Sequence, residues 1–265
     1  MLNFAPFITD HDLNNALALA RAAKLAYEDE SRIKATTEEW GLTRCQFLSE
    51  EETQLFVAAD EDLVIVAFRG TEEKIQDFVT DVRFGLVDGL MEGRVHRGFR
   101  DALRHVWTDV QRAVSEFQNN HQSLWVTGHS LGAALATLAT AEWIEEDKPI
   151  NGLYTFGSPR VGDKRFARHF NSEAKVKTFR YVNNQDIVTR VPPRVLDYRH
   201  VGTMKYFGAK GHLHDDPSVW NQFLDSVKVV FEDFGELPKE SFRDHGMENY
   251  VELTRRGRRG PETDR

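Results

Sequence analysis

Val126-Thr127-Gly128-His129-Ser130-Leu131-Gly132-Ala133-Ala134-Leu135-Ala136 is the stretch on which the fold turns. Residues 124 to 127 (LWVT) predict a short apolar strand, and Leu131 to Trp143 an alanine-rich helix. The pattern G-x-S-x-G, Gly128 to Gly132, therefore lies on the turn between a strand and a helix, the context that gives this motif its chemical meaning. A strand-to-helix turn this sharp leaves no room for larger side chains at its two glycines, and it lifts the serine hydroxyl out of the sheet's carboxyl end. Ser130 then stands at a helix N-terminus, where unpaired N–H groups and the helix dipole favour developing negative charge. The N–H of Leu131 is the expected first oxyanion donor. The plainer alternative is a serine that merely caps an ordinary helix.

Outward from that turn, helices and strands alternate. Residues 11 to 28 predict a helix capped by Asp10 or Asp12, with Leu13, Leu17, Ala20, Lys24 and Tyr27 at near-helical spacing. Residues 53 to 59 (TQLFVAA) and 63 to 69 (LVIVAFR) read as a hairpin across Asp60-Glu61-Asp62. The second run is almost wholly apolar, as a central strand covered on both faces should be. Ile75, Phe78, Val79 and Val82 form the apolar face of a further amphipathic segment, followed by a loop punctuated by Gly85, Gly89 and Gly93. A helix is predicted over 97 to 119, strands over 153 to 156 and 176 to 182, and a β-rich stretch over 195 to 207. This order predicts an α/β fold with a mostly parallel central sheet and helices on both faces. Residues 1–254 read as one domain, and 255–265 as a basic, polar, solvated tail.

A nucleophilic serine needs a base, and the base an orienting carboxylate. Hydrolases built on such a turn carry them in the order Ser, Asp or Glu, His. Asp186 ends Val182-Asn183-Asn184-Gln185-Asp186, just past a β-rich run, where a loop at a strand's carboxyl end would present it. Four histidines lie downstream. His200 falls inside the β-rich stretch, which favours a structural imidazole. His212 and His214 form a pair without further placed ligands, so neither a metal nor another cofactor is expected. His245, in the polar loop Arg243-Asp244-His245-Gly246, fits the base best on context.

The whole chain sets outer bounds. It has 265 residues, 40% of them hydrophobic and 29% charged, enough for one large globular domain. Its formal net charge of −8 gives no general attraction to nucleic acid. No apolar run approaches the ~20 residues of a membrane span. Met1 to Thr9 shows neither a basic n-region nor an apolar h-region, so a signal peptide is expected to be absent or already removed, leaving a cytoplasmic or a secreted mature chain. Cys45 is the one cysteine, which rules out an intrachain disulfide and predicts a small, buried, unreactive side chain. The pattern does not speak to oligomeric state.

Taken together, Val66-Ala67-Phe68-Arg69-Gly70-Thr71, Val95-His96-Arg97-Gly98-Phe99, the stretch around Ser130, Thr155-Phe156-Gly157-Ser158-Pro159-Arg160-Val161-Gly162-Asp163, Arg180-Tyr181-Val182-Asn183-Asn184-Gln185-Asp186-Ile187-Val188, Val191-Pro192-Pro193, Tyr198-Arg199-His200-Val201-Gly202 and Asp244-His245-Gly246-Met247-Glu248-Asn249-Tyr250 resemble the class 3 lipases, the filamentous-fungus type, in family order. The resemblance implies the α/β-hydrolase fold and a triad of Ser130, Asp186 and His245. It also implies a second oxyanion donor at the Thr71 N–H, and a lid helix carrying Ile75, Phe78, Val79 and Val82. It implies hydrolysis of carboxylic esters of lipids at a water interface, without cofactor. A soluble-ester (feruloyl-type) esterase and a phospholipase A1 are the alternatives on this scaffold. A lipase-like binding module without turnover is the alternative outside the enzymes.

Overall fold

The computed structural model describes residues 2–71, 85–184, 186–215 and 243–259. Two helices lead the chain, α1 (Leu13–Leu25) and α2 (Glu30–Glu39), before strands β1 (Arg44–Glu50), β2 (Thr53–Ala59) and β3 (Leu63–Phe68). Next come β4 (Leu86–Asp88), β5 (Arg94–His96), α3 (Arg97–Phe117), β6 (Ser123–His129), α4 (Leu131–Glu145) and β7 (Gly152–Phe156). The remainder is β8 (Gly162–Asp163), α5 (Lys164–Ala174), β9 (Thr178–Asn183), β10 (Tyr198–Arg199), β11 (Thr203–Phe207), β12 (Leu213–His214) and α6 (Met247–Arg259).

Eight strands form one sheet in the order β1-β2-β3-β6-β7-β9-β11-β12. The central run from β3 to β11 is parallel, while β1 and β2 at one edge and β12 at the other are antiparallel. A second, four-stranded sheet orders β10-β8-β5-β4. The continuous apolar reading of β3 has a direct cause. Val64, Val66 and Phe68 enter one core, and Leu63, Ile65 and Ala67 the other. The first core is completed by α3, α4 and α5, and the second by α1 and α6. A sheet sandwiched in this way needs apolar residues at every position of its central strands, not at alternate ones. α3 is amphipathic and buries Phe99, Leu103, Val106, Val110 and Val114, whereas α4 is buried nearly all round.

Local chemistry trims the expected boundaries. Asp12, not Asp10, caps α1, accepting from the N–H groups of Asn14 and Asn15 at 2.8 Å each. The expected strand 176 to 182 begins only at Thr178, because Lys175–Lys177 form a 3-10 turn. The β-rich stretch 195 to 207 is not one strand. A 3-10 turn over Arg194–Leu196, left-handed Asp197 (φ 70) and Gly202 (φ 73) divide it. The segment bearing Ile75, Phe78, Val79 and Val82 lies outside the described residues. α6 runs to Arg259, so residues 255–259 of the expected tail are helical; 260–265 lie outside the described residues.

Candidate active site

The functional groups gather where the parallel strands end. Ser130 sits directly after β6 with φ 57 and ψ −126, a conformation that costs an L-residue about 1–3 kcal/mol. The surrounding chain holds it there. Its N–H donates to the Phe156 carbonyl on β7 at 3.0 Å, and its own carbonyl accepts from Ala133 N–H at 3.0 Å. A Cβ on Gly128 would collide with the Gly132 carbonyl, and one on Gly132 with the Phe68 carbonyl at the end of β3. Both glycines are therefore demanded by backbone packing. The Ser130 side chain makes no capping hydrogen bond to α4, which removes the plain helix-cap reading. Gly70 passes so close that its Cβ would lie 3.2 Å from Ser130 Cβ, and half-buried Thr71 follows it.

Asp186 and His245 come from opposite ends of a 59-residue separation and meet in the interior. His245 Nδ1 lies 2.9 Å from both Asp186 oxygens. The carboxylate also accepts from the Tyr250 hydroxyl at 2.6 Å and from Val188 N–H at 2.9 Å. Burial pushes the Asp186 carboxyl upward, but the His245 charge and the hydrogen bonds from His245 and Tyr250 outweigh it, and the group is held below its ordinary value. Burial, then the Asp186 charge, pushes the Tyr250 phenol well above its ordinary value, so it remains a donor. Tyr250 in turn accepts from Asn183 N–H at 3.0 Å, and Asn183 Nδ2 donates to the Asp244 carbonyl at 2.8 Å. These bonds tie the start of α6 and the His245 loop to the end of β9. Gly157 (φ 59) makes room, since a Cβ there would lie 2.8 Å from His245 Cε1 and 2.9 Å from Asp186 Oδ2. The outer ring nitrogen, His245 Nε2, is buried with no hydrogen-bond partner among the described residues.

His129 supports the same loop from below. Its Nε2 lies 2.7 Å from the His245 carbonyl, its Nδ1 lies 2.7 Å from the Tyr27 hydroxyl, and its ring packs 4.5 Å from the His245 ring. Burial, then the neighbouring His245 charge, lowers its pKa to about 3, so the ring is neutral at working pH. A neutral imidazole facing a carbonyl must donate there, which places the proton on Nε2 and leaves Nδ1 to accept from Tyr27.

The expected residues do not all behave alike. Asp186 and His245 meet beyond the carboxyl end of β9, Ser130 and Leu131 follow β6, and Thr71 follows Gly70, which passes close to Ser130. His200 bonds the Thr189 carbonyl through Nε2 at 2.8 Å, the structural role expected of it. Among the described residues no group of three metal-ligating side chains forms at His212 and His214 or elsewhere. Cys45 is half-buried, and burial pushes its thiol up, away from reactivity. The supporting roles of Tyr27, His129, Asn183 and Tyr250 escaped the sequence reading, although each stands in a segment quoted there. Only the placement of Tyr250 five residues after His245 hinted at any of them.

Neutral buried histidines predict acid sensitivity. His129 (about 3) and His11 (about 4, lowered chiefly by burial) both titrate in the folded protein below the ordinary 6.5. The unfolded chain therefore binds more protons, and stability that is full above pH 6.5 is lost as pH falls through 6.5 towards those values. His129 alone contributes a loss of roughly 1.4 kcal/mol per pH unit in that window. Thermal melts between pH 7 and pH 4.5 should show a steadily falling Tm; a flat profile would contradict the neutral assignment.

The fold and the site define an α/β-hydrolase scaffold with a serine elbow. Solved structures agree: a triacylglycerol lipase described as having a serine protease triad as its catalytic centre superposes with a TM-score of 0.64 at 25% identity, over 74% of this chain and 80% of that one. A Rhizomucor miehei triacylglyceride lipase gives 0.62 at 26%, over 75% and 80%. The family model described as lipase (class 3) matches residues 65–196, and the chain belongs to that family. A secreted mono- and diacylglycerol lipase of Fusarium solani is 35% identical over 59% of this chain and 47% of its own length. One from Penicillium cyclopium is 33% identical over 57% and 50%. The chain thus spans about half the length of the curated relatives it matches.

Proposed function

We propose that this protein hydrolyses carboxylic esters of lipids through an acyl-enzyme on Ser130, with His245 as base and Asp186 as its orienting carboxylate. One observation carries the reading: His245 presents Nδ1 to a buried carboxylate while its Nε2 has no partner among the described residues, and Ser130 is held in a strained turn whose neighbour His129 packs against the His245 ring. In this scheme Nε2 takes the Ser130 proton as the hydroxyl attacks the ester carbonyl. Asp186 keeps the proton of Nδ1 in place and stabilises the imidazolium that forms. The N–H groups of Leu131 and Thr71 receive the oxyanion, each worth roughly 3–4 kcal/mol of transition-state stabilisation in comparable hydrolases. His245 then protonates the departing alcohol, and water repeats the sequence on the acyl-enzyme. Each step uses only side chains, backbone N–H groups and water.

The relatives' names favour acylglycerols as the ester class, and mono- and diacylglycerols recur among them. Several of those relatives are secreted, which favours an extracellular place of work; among the described residues no helix is long and apolar enough to cross a membrane. The deciding experiment is a panel of 4-nitrophenyl esters from acetate to palmitate, with emulsified mono-, di- and triacylglycerol and a phospholipid. Turnover of long-chain esters and acylglycerols is the expected result. Activity confined to short soluble esters would replace the lipid reading with the esterase one, and cleavage of phospholipid alone would replace it with phospholipase A1. No turnover at all would overturn the enzymatic reading.

A further inference from the structure

Behind Asp186 lies a group of cations that the proposed reaction leaves unused. Arg160, Arg180 and Arg190 are buried, with 5%, 7% and 8% of their surface exposed. Arg160 follows the turn that carries Gly157, Arg180 is central in β9, and Arg190 stands four residues past Asp186. Arg160 has acceptors. Its Nη1 donates to the Pro192 carbonyl at 2.8 Å and to the Arg190 carbonyl, and its N–H donates to the Val191 carbonyl at 2.8 Å. His200 closes the same group through the Thr189 carbonyl.

Arg180 stands differently. Its Nε and Nη1 are buried with no hydrogen-bond partner among the described residues. Other cations lie within its reach. The charge acting most strongly on Arg160 is that of Arg180, followed by Arg194, Arg199 and Arg190, all of the same sign. Arg180 and Arg160 are likewise the leading charges on His200. Burial lowers Arg180 only to about 10 and Arg160 to about 9, so both remain cations at neutral pH. Among the described residues, buried Asp186 already accepts from His245, Tyr250 and Val188, and buried Asp163 is engaged by Arg94 and Phe166 N–H.

A buried cation without a counter-charge carries an uncompensated desolvation penalty, and a like charge nearby adds to it. Carbonyl dipoles meet the need of Arg160, but among the described residues nothing meets that of Arg180 Nε and Nη1. Solvent could accept its hydrogen bonds but would bring no charge. We propose that a small inorganic anion of halide size binds against Arg180, on the side shared with Arg160 and His200, and supplies the missing negative charge. The ion would neutralise the repulsion between the two guanidinium groups. It would thereby steady the 186–192 loop, which Arg160 already grips and which holds Asp186.

The test is thermal melting of the intact protein at constant ionic strength while sodium gluconate is exchanged for sodium chloride. A ligand that binds only the folded state should raise Tm saturably, by roughly 5 °C between ~1 and ~200 mM halide. Bromide should substitute for chloride. In Arg180→Met the halide increment should vanish. Identical melting in the two salts, or an increment that survives in Arg180→Met, would overturn the proposal. Should that variant fail to fold, crystals of the unaltered protein grown in bromide decide the matter. An anomalous peak within hydrogen-bond distance of Arg180 supports the site, and a featureless map there refutes it.

Discussion

Ser130→Ala is expected to lower kcat by about a millionfold while leaving the fold intact, the scale of loss seen when a triad serine is removed from a comparable hydrolase. The size follows from geometry. In the proposed scheme the serine forms the covalent intermediate, and among the described residues its neighbour His129 cannot take that part, being neutral and committed to Tyr27 and the His245 carbonyl. Stability should hardly change, because the hydroxyl caps nothing and alanine keeps the Cβ that strains the turn. The hydrogen bonds that fix the turn come from the Ser130 backbone, which alanine retains. The comparison to make is kcat and Tm of wild type and variant on one long-chain ester. More than a few per cent of residual turnover would remove Ser130 from the nucleophile's role.

Asp186→Asn should cost about 10^4 in kcat, with substrate binding little affected. The carboxylate offers only acceptors, and His245 Nδ1, the Tyr250 hydroxyl and Val188 N–H all turn donors towards it. An asparagine has a single acceptor oxygen for those three. If its amide N–H₂ faces His245, Nδ1 must become the acceptor, the proton moves to Nε2, and the atom that should take the Ser130 proton is blocked. If the amide faces Tyr250 or Val188 instead, a buried donor there loses its partner, at about 1–3 kcal/mol of stability. The expected signature is therefore a large kcat loss together with a modest fall in Tm. A kcat within tenfold of wild type would show that the carboxylate does not orient the base.

Much of this molecule was legible before any coordinates. The alternation of apolar strands with helical spacings sufficed for the mostly parallel sheet, because central strands covered on both faces must be apolar throughout. The elbow at Gly128 to Gly132 was legible for a similar reason: its glycines answer to packing within a few residues. β1, α2 and α5 escaped the reading. β1 is an edge strand with half-buried side chains, and α2 buries only Ile33 and Thr37, so neither shows a strong period. α5 is amphipathic, but it is short and follows directly on a loop rich in glycine and proline.

What the sequence determined by itself, then, is the order of elements, the turn that strains Ser130 and the family to which the chain belongs. These depend on neighbours along the chain, where steric and hydrogen-bonding constraints act over a handful of residues. That Tyr250 donates to the carboxylate His245 meets, that His129 is held neutral under the His245 loop, and that Arg180 is buried with two nitrogens unpartnered among the described residues were decided only by tertiary structure. Each of those depends on groups tens of residues apart being brought into one dry interior, where a charge or a hydrogen bond has its full energetic weight.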